Sequence, residues 1–188
     1  MDKKIFFDTI RPIFGTLNPR TGKREISGLQ VVGFETLLEA FHKDAWPVSW
    51  VAYGLATAWH ETNKTMQPVA EAYWVPNPEE WRKKNLRYYP WYGRGYPQLT
   101  WEDNYRKADI ALKLDGALLK NPDLAMQPDI AVRIMVWGMT TGSYTGRALK
   151  HHLPSSRPAD LEQFRWSRKI INGKDKALKI AAEALNFQ

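Results

Sequence analysis

Two glutamates ten positions apart, Glu61 and Glu71, form a pair of side chains that together could hydrolyse a glycosidic bond. In that reaction one protonated carboxyl group donates to the leaving oxygen, and a second carboxylate activates a water molecule. Trp59, with Trp74 or Tyr73, would supply apolar walls that desolvate Glu61 and favour its protonated form. By its spacing alone, however, the pair is more typical of two solvated surface acids.

The adjacent pair His60–Glu61 resembles half of a zinc-protease helix motif. That motif requires a second histidine four residues after the first, on the same helix face. Position 64 is Lys64, and the other histidines lack a ligand-like spacing to His60. We therefore expect no metal site and no cofactor.

The stretch from Tyr92 to Tyr105 is the most specific in the chain. Two glycines flank Arg94 and permit a tight backbone path before a predicted helix start. Neither phosphate-loop spacing is present, because Pro97 and Gln98 stand where the dinucleotide motif needs its last glycine. Four positions separate Thr100 from Asn104, so on a helix both would face one water or one sugar hydroxyl.

The net charge of +7, with a sequence pI near 9.5, indicates an anionic partner. Nucleic acid, an anionic membrane face and an anionic cell-wall polymer fit the charge equally well. Prolines, aromatic residues and basic residues are concentrated in residues 63–99, so this segment is either a polymer-binding loop or an aromatic minicore. A non-catalytic protein that binds cell wall or nucleic acid therefore remains an alternative.

The chain contains no cysteine, which excludes disulfides, thiolate metal sites and cysteine nucleophiles. Asp8 interrupts the N-terminal apolar stretch too early for a secretory leader. The longest apolar run, 48–59, is shorter than the roughly 20 residues that cross a bilayer. We expect a protein made in the cytoplasm, without stable membrane insertion.

Apolar periodicity and capping residues predict a mainly α, single-domain chain, with loops or a small irregular sheet around residues 63–99. Ser27 is the predicted cap of one helix, Asp44 with Pro47 begins another, and Thr100 opens a capping box. Residues 15–25 are predicted as an exposed loop or short hairpin. The predicted helices span 2–14, 28–43, about 47–60, 101–113, 128–140, a short one near 145–152, 157–171 and 174–186.

Three of these helices have predicted apolar stripes. The stripes comprise Ile5, Phe6, Ile10, Ile13 and Phe14 in the first helix; Leu29, Val32, Leu37, Leu38 and Phe41 in the second; and Leu178, Ala181, Ala182 and Leu185 in the last.

Three segments together resemble the family 19 glycoside hydrolases, which include plant-type chitinases and the lysozyme-like endolysins of bacteriophages. They are His60-Glu61-Thr62, then Gly93 to Thr100 followed by Asn104-Tyr105, and Ile171-Asn172-Gly173. Their order and approximate separations hold from about residue 50 to residue 173. Because the chain has no cysteine and its second acid follows the first closely, it is more similar to phage and prophage endolysins than to plant enzymes.

The resemblance implies a lysozyme-like, two-lobed helical fold with a substrate groove between the lobes. It makes Glu61 the general acid, Glu71 the general base, and Thr100 the residue that holds the nucleophilic water. The second acid varies in position within the family, so the assignment of Glu71 depends on the structure. The residues expected to bind substrate are His60, Tyr73, Trp74, Arg94, Gln98, Asn104, Tyr105 and Asn172.

The implied activity is that of an endolysin that hydrolyses, with inversion, the β-1,4 bond between N-acetylmuramic acid and N-acetylglucosamine in peptidoglycan. Chitinase activity on β-1,4-linked N-acetylglucosamine is the alternative on the same scaffold. We expect residues 1–188 to act as one catalytic domain and as a monomer, without a separate wall-binding module. The expected partner is anionic peptidoglycan rather than nucleic acid, reached from the cytoplasm through a separate pore.

Overall fold

The computed structural model describes residues 2–188 and shows a mainly α-helical chain with two small antiparallel sheets. The α-helices are α1 (Lys3–Phe14), α2 (Gly28–Lys43), α3 (Val48–Glu61), α4 (Pro78–Asn85), α5 (Glu102–Leu112), α6 (Ala117–Lys120), α7 (Pro128–Thr141), α8 (Leu161–Ser167) and α9 (Ala177–Phe187). The strands are β1 (Thr16–Leu17), β2 (Arg24–Glu25), β3 (Val69–Ala70) and β4 (Arg94–Gly95). Short 3₁₀ helices cover Pro122–Met126, Leu149–His151 and Arg168–Ile170. The predicted fold class is confirmed.

Local capping chemistry explains where several helices begin. The Ser27 hydroxyl accepts from the Gln30 backbone N–H, and the Gln30 side chain accepts from the Ser27 N–H, so a reciprocal capping box starts α2. Asp160 and Gln163 form the same arrangement at α8. The predicted caps of the other two helices are wrong. Asp44 closes α2 rather than opening α3, and Trp101, without a side-chain hydrogen bond, is the N-cap of α5.

Several predicted bounds also change. The loop-rich segment 63–99 contains α4, because Pro78 occupies the first helical position, where a missing N–H costs nothing. Only the 3₁₀ turn Leu149–His151 forms near 145–152, and the helix predicted over 157–171 shortens to α8 and the 3₁₀ turn Arg168–Ile170. Residues 15–25 form the short hairpin, with Thr16 paired to Glu25.

The described residues bury two hydrophobic clusters, one per lobe, and α7 contributes to both. Ala131, Val132, Met135 and Met139 face the larger cluster, which holds α1, α2, α3, α8 and α9. Ile130 and Ile134 face the smaller cluster, which holds α5, α6 and the 3₁₀ turn Pro122–Met126. One helix therefore connects the two lobes that the family resemblance implied.

The predicted apolar stripes are only partly correct. Leu29 and Val32 of α2 are 68% and 55% exposed, while Phe34 is fully buried in their place. In α1 and α9 the structure likewise exposes Ile5, Ile13, Leu178 and Leu185 and buries Ile180 and Phe187. These helices carry apolar residues on more than one face, so periodicity alone does not select the face that packs.

Helix α3 passes through the larger cluster. Every residue from Ala52 to Trp59 is buried, which is typical of a helix that is apolar all round. Within residues 2–188, no helix combines the length and the apolarity that spanning a membrane requires.

Candidate active site

Both predicted catalytic acids line one cleft of about 480 Å³ between the lobes. A neighbouring depression of about 490 Å³ shares Glu61, Glu71 and Gln98 with it, so these residues lie where the two spaces meet. The cleft brings together six of the predicted site residues, Glu61, Glu71, Gln98, Thr100, Asn104 and Asn172.

Glu61 is the last residue of α3, where the buried helix reaches the cleft. The buried Thr62 ends the helix by donating its hydroxyl to the Ala58 carbonyl and accepting from the Met66 N–H. Arg168 donates through Nη1 to Glu61 Oε1 at 2.6 Å, in a contact where the arginine side chain is 3% exposed. Among the described residues, no hydrogen bond engages Oε2 of Glu61, so this oxygen is available to a ligand in the cleft.

The expected apolar wall beside Glu61 is largely wrong. Trp59 packs into the core, where its ring lies 6.2 Å from that of Phe34. Trp74 does line the depression next to Glu61 and is 68% exposed. The immediate partner of the Glu61 carboxyl group is a cation, Arg168, rather than an aromatic ring.

Glu71 follows strand β3 directly and is held by both of its carboxylate oxygens. The Tyr88 hydroxyl donates to Oε1 at 2.8 Å, and the Gly93 N–H donates to Oε2 at 3.0 Å. Burial, followed by its contact with Glu71, raises the pKa of Tyr88 to about 12, so Tyr88 remains a donor at neutral pH. Buried Arg82 also binds the backbone carbonyl of Glu71 at 2.6 Å, which fixes the main chain at this point.

Two glycines shape the loop opposite Glu61. Gly95 has a φ of +81°, and it pairs with Val69 as β4 meets β3. A Cβ atom on Gly93 would lie 2.7 Å from Gln98 Oε1, so a larger residue would displace that side chain. Gln98 donates to the carbonyls of Val69 at 2.9 Å and Gly95 at 3.0 Å, which holds its amide group in the cleft wall.

Thr100 and Asn104 both line the cleft, but their positions relative to α5 differ from the prediction. Thr100 precedes α5 instead of sharing a helical face with Asn104, and the Asn104 amide donates to the Thr100 carbonyl at 2.8 Å. The Thr100 hydroxyl donates to the Gln98 carbonyl at 2.8 Å. Its oxygen lone pairs therefore remain able to accept a hydrogen bond from a water molecule.

Arg94 and Tyr105 do not line the cleft. Arg94 is 3% exposed, and it donates to Asp123, to the carbonyls of Pro90 and Tyr92, and to the Tyr105 hydroxyl. The Tyr105 hydroxyl in turn donates to the Tyr92 carbonyl at 2.8 Å. We therefore assign Arg94 and Tyr105 to the support of the cleft wall rather than to sugar binding, because their polar groups are hydrogen-bonded within the protein.

The remaining predicted binding residues lie at different places around the site. His60 lines the depression beside Glu61, and burial lowers its pKa below the usual value. Asn172 lines the cleft after the 3₁₀ turn Arg168–Ile170. Tyr73 packs edge-on against Trp74 at 5.2 Å and lines neither space, so it supports Trp74 rather than meeting a ligand.

Among the residues in or beside the cleft that were not predicted as site residues, three have side chains with a role in the site. Arg168 lies 107 positions from Glu61, and no spacing rule connects them. The only sequence signal for Tyr88 was its membership of the aromatic segment 63–99. Trp101 lines the cleft and is 44% exposed, and its position inside the Tyr92–Tyr105 stretch was the one available signal.

Comparisons with known proteins agree with this architecture. The chain is 30% identical over 135 residues to Endochitinase 1 of Theobroma cacao, an alignment that covers 67% of this chain and 36% of the cacao protein. The chain thus spans about a third of the length of that curated relative. No family model matches the chain.

The fold is also similar to the crystal structure of chitinase C from Streptomyces griseus HUT6037. The TM-score is 0.56 at 21% sequence identity, and the match covers 99% of this chain and 73% of that chain. With two lobes, a shared cleft and the motif residues that line it, the chain is similar to the family 19-like glycoside hydrolases of the chitinase and lysozyme superfamily.

Proposed function

We propose that the protein hydrolyses β-1,4 bonds in a glycan of N-acetylated amino sugars. One observation carries the proposal. Glu61 and Glu71, which arrive from a helix end and a strand end, line the same cleft as the Thr100 hydroxyl. This set contains a proton donor, a base and a water-binding group, the three parts that an inverting glycosidase needs.

In the proposed reaction Glu61 is the general acid. Arg168 holds Oε1, so Oε2 is the oxygen that meets the glycosidic oxygen and transfers a proton to it. Glu71 accepts a proton from the attacking water, while Tyr88 and the Gly93 N–H keep its carboxylate oriented. Inversion requires a water molecule between carboxyl groups roughly 6.5–9.5 Å apart, and we assign the binding of that water to Thr100, which lines the same cleft.

We infer that the substrate is peptidoglycan and that the protein acts as an endolysin. The net charge of +7 favours an anionic polymer, and chitin is neutral. The names of the two relatives favour the second candidate, chitin, because both are chitinases. Both substrates contain β-1,4-linked N-acetylated sugars and would meet the same two carboxyl groups.

The discriminating experiment compares reducing-sugar release from purified sacculi and from colloidal chitin. Endolysin activity predicts release from sacculi, whereas release from chitin alone would replace that proposal by the second candidate. Glu61→Gln should lower either activity about 10²–10⁴-fold, which is the usual contribution of general acid–base catalysis. The amide oxygen of the glutamine can still accept from Arg168, but the buried cation loses its counter-charge, so the melting temperature should fall. Rates are therefore compared at a temperature at which both proteins are folded.

A suitable control is Glu80→Gln, which changes an exposed acid on α4 outside the cleft. If Glu61→Gln released sugar at the wild-type rate, the assignment of Glu61 as general acid would be wrong. If the wild type released no sugar from either substrate, a non-catalytic binding protein would be favoured. The stereochemistry provides a separate test. ¹H NMR of the first product should show the α-anomer before mutarotation, and an initial β-anomer would contradict inversion.

A further inference from the structure

We propose that Arg87 and Trp101 form a subsite at one end of the cleft for a carboxylate carried on the 3-O-lactyl branch of the substrate. This inference rests on the proposed function and specifies how the cleft would distinguish peptidoglycan from chitin. The subsite combines an exposed aromatic ring inside the cleft with a cation outside it.

Trp101 is held as a fixed platform. Its φ of +75° is unusual for a bulky residue and persists only where the surroundings impose it. Its N–H donates to the Trp91 carbonyl at 2.8 Å, and its own carbonyl accepts from the Asn104 N–H at 3.0 Å. The indole ring nevertheless lines the cleft and is 44% exposed. An exposed ring held in this way suits stacking against the apolar face of a sugar.

The platform adjoins the catalytic base. The ring centroids of Trp101 and Tyr88 are 4.8 Å apart, and the Tyr88 hydroxyl binds Glu71. A sugar stacked on Trp101 would therefore lie at the Glu71 side of the reacting bond.

Arg87 lies over the Trp101 ring. Its guanidinium carbon is 5.2 Å from the ring centroid, in a cation–π contact, and the residue is exposed. A sugar that stacks on the part of this ring left exposed therefore has the guanidinium beside it, within reach of a branch on the sugar. Among residues 2–188, neither an ion pair nor a hydrogen bond occupies this guanidinium, unlike those of Arg82 and Arg94, which bind carbonyl and carboxylate groups. An unoccupied guanidinium presents a planar fork of donors that fits a carboxylate.

The chemistry of the two candidate substrates matches this arrangement differently. N-acetylmuramic acid carries a lactyl ether whose carboxyl group is either free or linked to a stem peptide that bears further carboxylates. N-acetylglucosamine carries no such branch. A cation beside the sugar platform therefore contributes binding energy for peptidoglycan and none for chitin.

The test uses Arg87→Gln, which removes the charge and keeps much of the side-chain length. Its matched control is Lys83→Gln, which makes the same charge change at an exposed position on α4. The substrates are glycan strands with stem peptides, the same strands after amidase treatment, and a chitin oligosaccharide of equal length. Arg87→Gln should lower the ratio of kcat/KM on peptidoglycan strands to kcat/KM on chitin about two- to fivefold, since an exposed ion pair is screened by water. Lys83→Gln should leave that ratio unchanged.

Comparison of the two peptidoglycan substrates identifies the anion. A larger effect on amidase-treated strands assigns the free lactyl carboxylate, and a larger effect on intact strands assigns a carboxylate of the peptide. An equal loss on peptidoglycan and chitin, or no loss on either, would overturn the inference while leaving the proposed function intact. A wild-type protein that cleaves chitin but neither form of peptidoglycan would overturn the inference together with the endolysin assignment, and a wild-type protein that cleaves none of the three substrates would overturn the proposed function.

Discussion

Arg168 and Glu61 are 107 positions apart in the chain, yet a 2.6 Å hydrogen bond joins Nη1 of the arginine to Oε1 of the glutamate. Arg168 is itself held by the Asp175 carbonyl, to which its Nε donates at 3.0 Å. The segment that follows α8 thus determines where the proposed acid points. The pairing links the end of the buried helix α3 to a segment near the C-terminal end of the chain.

Arg168→Met should reduce both stability and catalysis. Removing one partner of a buried ion pair leaves the other charge without compensation and costs about 3 kcal/mol. Urea unfolding should show this loss, and kcat should fall at least about tenfold because Oε1 loses its anchor. Arg165→Met is the matched control, since its pair with Glu162 is exposed and worth at most about 1 kcal/mol. Equal stability losses in the two variants would refute a special role for the Arg168 contact.

Tyr88→Phe should lower kcat more than it lowers stability. The variant removes the 2.8 Å hydrogen bond to Glu71 Oε1 and retains the ring beside Trp101. We expect a decrease in kcat of about ten- to a hundredfold, which corresponds to the net value of one hydrogen bond to a charged group. Tyr89→Phe removes a comparable bond, to Glu79 at 2.7 Å, away from the cleft, and should leave kcat unchanged. A similar effect of both variants on kcat would show that the Tyr88 contact has no specific role.

Below neutral pH, His152 should make the protein less stable. Burial is the largest cause that lowers its pKa, and nearby Arg147, His151 and Lys169 act in the same direction. The unfolded chain therefore takes up a proton as the pH falls through about 6.5, while the folded protein resists it, so the free energy of unfolding decreases.

Because burial raises the pKa of Glu183 and so opposes this trend, the informative quantity is the difference between wild type and His152→Gln. Thermal unfolding from about pH 7.5 to pH 5 should show a weaker decline for His152→Gln. Identical declines in the two proteins would contradict the prediction.

Gly33→Ala should destabilise the support of the cleft. A Cβ atom at position 33 of α2 would lie 1.8 Å from the Met66 carbonyl oxygen, so the backbone that leads to β3 and Glu71 would have to move. We expect a loss of about 1–3 kcal/mol, as for other overpacked sites. Gly28→Ala, at the start of the same helix, meets no atom within 4 Å and should be neutral or slightly stabilising. Chemical denaturation measures the free energy of unfolding of both variants. A Gly33→Ala protein as stable as the wild type would show that the backbone at Met66 can move without an energetic cost.

Local chemistry along the chain was sufficient to place most helices and to locate Glu61 at a helix end. Capping by Ser27 and Gln30 involves residues three positions apart, and the glycines beside Arg94 act on their own backbone, so neighbouring residues alone specify these features. The family resemblance selected Glu61, Glu71 and Thr100, and the structure places all three in one cleft.

Tertiary packing decided the rest. Packing determines which apolar face of α2 is buried. It also buries Arg94 and Tyr105, which were expected in the groove, and it brings hydrogen-bond partners to both acids. Arg168 meets Glu61 and Tyr88 meets Glu71 across separations of 107 and 17 residues, which no periodicity encodes. Such contacts arise only when two lobes pack around a common helix, because the energy of a buried charge or hydroxyl depends on the groups that packing brings within hydrogen-bond distance.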